Sequence, residues 1–428
     1  MSQIMLCSLG ESVALYNANN NNASNDTNNN RANSPPVPTI YRCRAPIASI
    51  EFMEELSETM GNSRQLTPGL RYRNLGKSGL RVSNIGLGAW VTFGGGVSES
   101  EAEAVVEAAY LAGINLFDLS EAHTGPRAEI LLGQILKRKP WPRTSYIVCT
   151  KIYFNSKSDE RGLSRKHIIE SVKASLLRLQ LDYIDVVILH KCDPMCPTEE
   201  TVRAMHHVIT QGWVMYWGTA KWSTVEIMDA YSNCRQFNCI TPIIEQAEYH
   251  MFCREKTELY MSELYNKIGV GLMAWSPIGM GLVSPKTDDS NSQVLTRSAL
   301  KHNKYTSFSW SEDETLPSSK DSTRDGCWTK ERPTALEKRE GQAEKLKQVE
   351  LIAERLGCSL TQLSIAWCSK NESVQCLLLG ATTVQHLYHC IHSLQLVPKL
   401  NATIMSELEK VLGNKPARAP MVSTLALR

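Results

Sequence analysis

The chain has 428 residues, 42% of them apolar, with 46 basic against 44 acidic side chains. That near-neutral balance leaves no electrostatic footprint for a nucleic-acid partner. No apolar run approaches the ~20 residues that cross a bilayer, and the N-terminus lacks the basic-then-apolar order of a secretory leader. The 13 cysteines, an odd number without CxxC pairs, fit reduced thiols. A cytoplasmic protein with no direct membrane insertion is predicted, and the sequons at Asn22, Asn25, Asn371 and Asn401 then carry no meaning.

Residues 1–68 hold an asparagine-rich run from Asn17 to Asn33 and then Ser34-Pro35-Pro36-Val37-Pro38, too polar and irregular to build a core. They read as a disordered extension. Its more apolar start, Met1 to Gly10, is either a frayed end or a tethered docking peptide. From Leu70 to Ser83, Gly76 and Gly79 separate two short alternating runs, which predicts a β-hairpin.

Short apolar strands then alternate with amphipathic helices. The strands fall near 85–89, 114–118, 146–151, 184–190, 214–219, 242–246, 270–275 and 375–379. Eight such units predict an α/β fold, a (β/α)8 TIM barrel over residues 69–413, with a C-terminal tail at 414–428. Ser164 is placed to cap a helix striped by Ile168, Val172, Leu176 and Leu179, with Arg165, Lys166, Lys173 and Arg178 on its wet side. Leu346, Val349, Ile352 and Leu356 form a second stripe ended by Gly357, and Ser359 with Gln362 reads as a capping box. Between about 302 and 340 the periodicity lapses into serine, charge and proline, which predicts a flexible insertion.

Chemistry in such a barrel collects where the strands end, at the carboxyl edge. Five strands end on a functional side chain: Asp118, Lys151, His190, Gln246 and Trp275. A lysine buried there needs an anion, and Asp118 is the natural partner. His190, Cys192 and Cys196 invite a zinc reading, but no second ligand pair stands nearby at metal spacing, so no metal is expected. Gly86-Leu87-Gly88 followed by Gly94-Gly95-Gly96 lacks the third glycine of a dinucleotide fingerprint, so nucleotide binding by that route is not expected.

At Asp118, Lys151 and His190 the chain from about Leu70 to Gly413 resembles the aldo-keto reductase superfamily. Within it the likeness is strongest to the beta subunits of voltage-gated potassium channels. Leu70 to Gly79, Arg161 to Ile169, Gln246 to Phe252 and Ala353 to Cys358 carry the likeness nearly residue for residue.

The resemblance implies an NADP(H)-binding barrel in which a tyrosine donates a proton while the cofactor delivers hydride to a small carbonyl substrate. Asp118 and Lys151 match the pair that tunes that tyrosine, and His190 the residue that orients the carbonyl, where the channel-associated relatives carry asparagine. His123 stands in the tyrosine's place. An imidazole can donate a proton near neutrality, but it is shorter than a phenol and Lys151 favours its neutral form. The site is therefore either a slowed reductase or one that keeps the cofactor and has lost its acid.

Cofactor contacts are implied at Trp90, Asp118, His190, Lys221, Gln246, Trp275, Ser276, Pro277, Ile278, Gly279, Met280, Lys286, Arg297, Gly380, Thr382 and His386. Trp275 would stack on the nicotinamide. Lys286 and Arg297 suit a 2′-phosphate. Departures at Gly96, Ala220, Lys221, His386, His389 and Cys390 imply weaker or pH-sensitive binding. The resemblance also implies a homotetramer docked on the cytoplasmic tetramerisation domain of a Shaker-type potassium channel alpha subunit, peripheral at the plasma membrane. The alternative is a free-standing NADPH-dependent aldehyde or ketone reductase.

Overall fold

Strands buried on both faces read as continuous apolar runs, and these sequences form them where expected. A computed structural model of the chain describes residues 67–88, 92–93, 97–121, 126–152, 162–275, 277 and 335–417, without the side chains of 335–340 and 343. Two antiparallel strands, β1 (Tyr72–Asn74) and β2 (Arg81–Ser83), make the hairpin. Eight parallel strands follow: β3 (Ile85–Gly88), β4 (Leu116–Asp118), β5 (Ile147–Ile152), β6 (Ile184–His190), β7 (Val214–Ala220), β8 (Ile244–Glu248), β9 (Gly271–Trp275) and β10 (Cys376–Leu379). They close into one barrel in chain order, β10 pairing with both β9 and β3.

Around it lie α1 (Glu99–Leu111), α2 (Arg127–Arg138), α3 (Arg165–Leu179), α4 (Thr198–Thr210), α5 (Thr224–Gln236), α6 (Ser262–Ile268), α7 (Ala335–Leu356), α8 (Leu360–Lys370), α9 (Val384–His392) and α10 (Ala402–Leu412). The predicted caps are present. The Ser164 hydroxyl accepts from His167 N, Ser359 and Gln362 form the reciprocal box, and Gly357 takes a left-handed φ of +69°. Two further capping boxes, Ser98 with Glu101 and Ser223 with Glu226, open α1 and α5. Helix α7 starts at Ala335, so the last residues of the 302–340 stretch are helical; the rest of that insertion, the extension before Thr67 and residues 418–428 lie outside the described residues.

Among the described residues the buried apolar side chains form two clusters. Leu116, Ile147, Cys149, Val186, Ile188, Ile244, Met273, Cys376 and Leu378 fill the barrel, and the hairpin adds Leu75 and Val82. The hairpin thus plugs the amino-terminal end. Its turn requires glycine: Gly76 has φ +58°, and a Cβ there would stand 2.2 Å from the Ile243 carbonyl oxygen.

The opposite strand parity faces the helices, and it carries buried ion pairs as well as apolar residues. Glu129 on α2 is fully buried, accepting from Thr150 Oγ1 of β5 and from Arg178 Nε of α3. Arg178 therefore does not sit on a wet face as its helical spacing predicts; a buried carboxylate draws it inward. On β8, buried Glu245 accepts from Thr219 Oγ1 and from Lys256 Nζ, tying the π-helical turn Lys256–Met261 to the barrel.

Candidate active site at the carboxyl edge of the barrel

Side chains two apart on a strand share a face. Asp118 therefore shares the interior face with Leu116, Lys151 with Cys149, His190 with Ile188, Gln246 with Ile244 and Trp275 with Met273, each second member belonging to the interior cluster. All five lie at or near the carboxyl ends of their strands, so the fold gathers them in one ring. Asp118, Lys151, His190 and Gln246 are at most 7% exposed. Trp275, at the rim, is half-buried.

One contact in the ring is not announced by the sequence. Gln246 Nε2 donates to Asp118 Oδ1 at 2.8 Å across the barrel, and the same nitrogen lies 3.3 Å from Met273 Sδ. Burial pushes the Asp118 carboxyl above its ordinary range, while the Lys151 charge, Gln246 and the Cys149 thiol act in the opposite direction. Cys149, in register with Asp118, is driven well above the usual thiol range by burial and then by the carboxylate charge, so it remains an S–H group. The expected partnership of Lys151 with Asp118 takes the form of this charge effect, with Gln246 supplying the direct bond.

Two lysines follow strand ends in left-handed backbone, Lys191 at φ +59° after β6 and Lys221 at φ +61° after β7. Non-glycine residues in that region are strained by about 1 kcal/mol or more and gather at functional edges. Lys191 N–H bonds the Ala220 carbonyl at 2.8 Å, extending the ladder past the strand. Lys221 Nζ stands 5.9 Å from the centre of the Trp275 ring.

Gly380 and Thr382 lie between β10 and α9, whose first turn is capped by Thr383 Oγ1 accepting from His386 N. His386 and His389 are both held below the ordinary imidazole range by burial, with the neighbouring histidine on each C-terminal side adding to it. His389 Nε2 is 3.0 Å from Ser359 Oγ. Cys390, another of the departures from the family pattern, is a core residue at 1% exposure, its thiol pushed up to about 12 by burial. It sits one position after His389, and this turn of the helix directs it inward. Pro277 is buried, while Trp90, Gly96, His123, Ser276, Ile278, Gly279, Met280, Lys286 and Arg297 lie outside the described residues.

The zinc candidates do not converge: His190 shares the barrel's interior face, whereas Cys196 Sγ is 3.3 Å from the Leu163 carbonyl oxygen. Among the described residues a different trio, Glu248, His250 and Cys253, brings its ligand atoms within 4.8 Å of one another. Its chemistry does not suit a metal. His250 Nδ1 accepts the Phe252 N–H at 3.2 Å, which places the ring proton on Nε2, 3.5 Å from Glu248 Oε1. Neither ring nitrogen then offers a free lone pair. Cys253 is pushed to about 11 by burial and by the Glu248 charge.

A 520 Å³ cavity lined in part by Arg73, Tyr265, Glu372 and Gln375 opens at the hairpin end and contains none of the ring residues. The opposite end carries an aromatic face at the rim, a lysine 5.9 Å from its centre, and a capped helix start after β10, chemistry compatible with a dinucleotide. Among the described residues no helix is long and apolar enough to cross a membrane. The sequence profile of the Aldo/keto reductase family matches residues 84–412, from the residue before β3 to the last residue of α10. With every barrel strand and more than half of the chain inside that match, the protein belongs to the aldo/keto reductase family, whose fold is that of an oxidoreductase.

Proposed function

We propose that the carboxyl-edge ring is an NADP(H) site for reduction of a small aldehyde or ketone, housed in an auxiliary subunit of a Shaker-type potassium channel. The observation that carries the site is the convergence of Asp118, Lys151, His190 and Gln246 on one interior face, each nearly or wholly buried. When bound, the reduced cofactor supplies hydride. Trp275 offers its ring to the nicotinamide, and Lys286 and Arg297 give a 2′-phosphate two cations. They favour NADPH over NADH. His190 directs the substrate carbonyl, and His123 holds the proton that the nascent alkoxide takes. The Lys151 charge at the same strand edge would disfavour an imidazolium there, so proton delivery is slow at neutral pH.

The channel role is supported by the nearly residue-for-residue likeness of Leu70 to Gly79 and Gln246 to Phe252 to the channel beta subunits. As a homotetramer docked on the channel's cytoplasmic tetramerisation domain, the protein would be peripheral at the plasma membrane and would modulate gating, inactivation or surface expression. For gating, the docked states must hold oxidised and reduced cofactor with different affinity. A second reading, a free-standing carbonyl reductase, is favoured by one observation: the aspartate and lysine of the reductive site are both kept.

Two experiments decide. In single turnover the NADPH-loaded protein is mixed with a reactive aromatic aldehyde, beside a His123→Tyr variant. Oxidation of cofactor by the parent makes His123 a working acid. Oxidation by the variant alone makes the site a nucleotide sensor, and oxidation by neither overturns the reductive site. Co-purification with a tetrameric channel domain supports the channel role, and its absence leaves the free-standing reductase.

A further inference from the structure

We infer that Gln246 is a positioning residue for Asp118, a clamp across the barrel that fixes the carboxylate's orientation. This role deepens the proposed reductive site and rests on that reading for its function, although the clamp itself is a matter of geometry. The two residues are 128 positions apart in sequence and meet at 2.8 Å with Gln246 1% and Asp118 7% exposed. Water has little access to either group. A buried carboxylate without donors would take a proton or turn away from the lysine it serves.

The rest of the floor fits a clamp. Gln246 Nε2 has two hydrogens, and the structure gives it two acceptors, Asp118 Oδ1 and Met273 Sδ at 3.3 Å. With both N–H groups engaged the amide cannot rotate without losing a bond, so it is held through its nitrogen. Met273 is the register partner of Gln246 on β9, and Cys149 is the register partner of Asp118 on β5. Each member of the clamp is thus seated on the adjacent strand. What remains open on Gln246 is Oε1, an acceptor. With its donors engaged the amide keeps only an acceptor for a ligand, and acts on the reaction through Asp118.

Asp118 is the group to follow, in full-length protein with 13C-carboxyl aspartate. Its resonance is assigned by its loss in Asp118→Asn. Replacing Gln246 by leucine keeps the bulk and removes the donor; the titration midpoint of Asp118 should rise by about one to two pH units, the worth of one hydrogen bond to a charged group. An unchanged midpoint overturns the clamp. Should Gln246→Leu not fold, the parent still answers: the Gln246 side-chain 15N–H resonance must shift as Asp118 titrates, and one that stays constant through that titration overturns the clamp equally. Hydride transfer is followed in the same samples. A coupled midpoint with no turnover in any protein leaves the clamp standing and removes the reductive reading, whereas turnover with an uncoupled midpoint does the reverse.

Discussion

Arg178 Nε lies 2.5 Å from Glu129 Oε2, and Glu129 has no exposed side-chain surface. With Thr150 on the other carboxylate oxygen, the pair joins α2, α3 and β5 beneath the ring of strand ends. Removing one partner of a buried pair strands the other charge, whereas removing both does not. Arg178→Met should therefore destabilise the barrel by about 3 kcal/mol, since the guanidinium is itself partly exposed. Glu129→Gln combined with Arg178→Met should recover more than ~1 kcal/mol of that loss in denaturant unfolding. Additive losses would show that the two charges do not act as a pair.

The Asp118 carboxyl is held above its ordinary value of 3.8 by burial. Between that value and the raised folded value the native chain binds more protons than the unfolded one, so stability falls as pH rises through the window and stays lower above it. Asp118→Asn removes the charge and keeps the shape. Removing the carboxylate also leaves the buried Lys151 without its anion, a cost that does not change with pH across this window. The melting temperature of the parent relative to that of Asp118→Asn should therefore fall as pH rises from about 4 through the window. A difference that stays constant over that range would mean that Lys151, Gln246 and Cys149 offset burial in full.

Gly76 and Gly79 both read as turn glycines, but only one is confined. A Cβ at Gly76 meets the Ile243 oxygen at 2.2 Å and the Gly269 oxygen at 2.8 Å, on a backbone at φ +58°, while at Gly79 nothing lies within 4 Å. Gly76→Ala should cost about 2 kcal/mol or more by lifting the hairpin plug. Gly79→Ala should stay within about 0.5 kcal/mol of the parent. Thermal melts of the two variants check the contrast.

The barrel was legible because its strands carry a strong signal: eight apolar runs between helical stripes, each boundary found to within about two residues of the observed strand. The ring was legible for the same reason, since a strand that ends on Asp118 or His190 announces an edge. Contacts between strands were not. Which donor reaches Asp118 depends on barrel register, and register pairs Gln246 with Met273 through backbone geometry that no local pattern encodes. Helical spacing places Arg178 towards solvent because it reports the apolar stripe and says nothing of a buried glutamate on the neighbouring helix. Likeness gives Cys390 only as a departure from the family pattern, whereas its helical position beside Leu387 and Ile391 marks it as core.

Helix α9 supplies the last test. His386 and His389 are kept neutral to a lower pH than ordinary histidines, His386 by burial and then by the charge of His389, His389 by burial and then by that of His392. If the adenosine end of a nucleotide lies against this helix, its phosphates favour the protonated imidazoles, and binding draws their midpoints upward. Affinity for NADP(H) should therefore grow as pH falls below the usual imidazole range of about 6.5, and be flat from there to pH ~8. His386→Gln should remove most of the acid-side gain while leaving the affinity at high pH within about threefold, a difference under ~1 kcal/mol. Fluorescence titration of NADPH at several pH values reads both. A parent whose affinity does not change with pH would place the nucleotide elsewhere on the edge and leave these histidines to pack α9 against α8, as the contact of His389 with Ser359 already does.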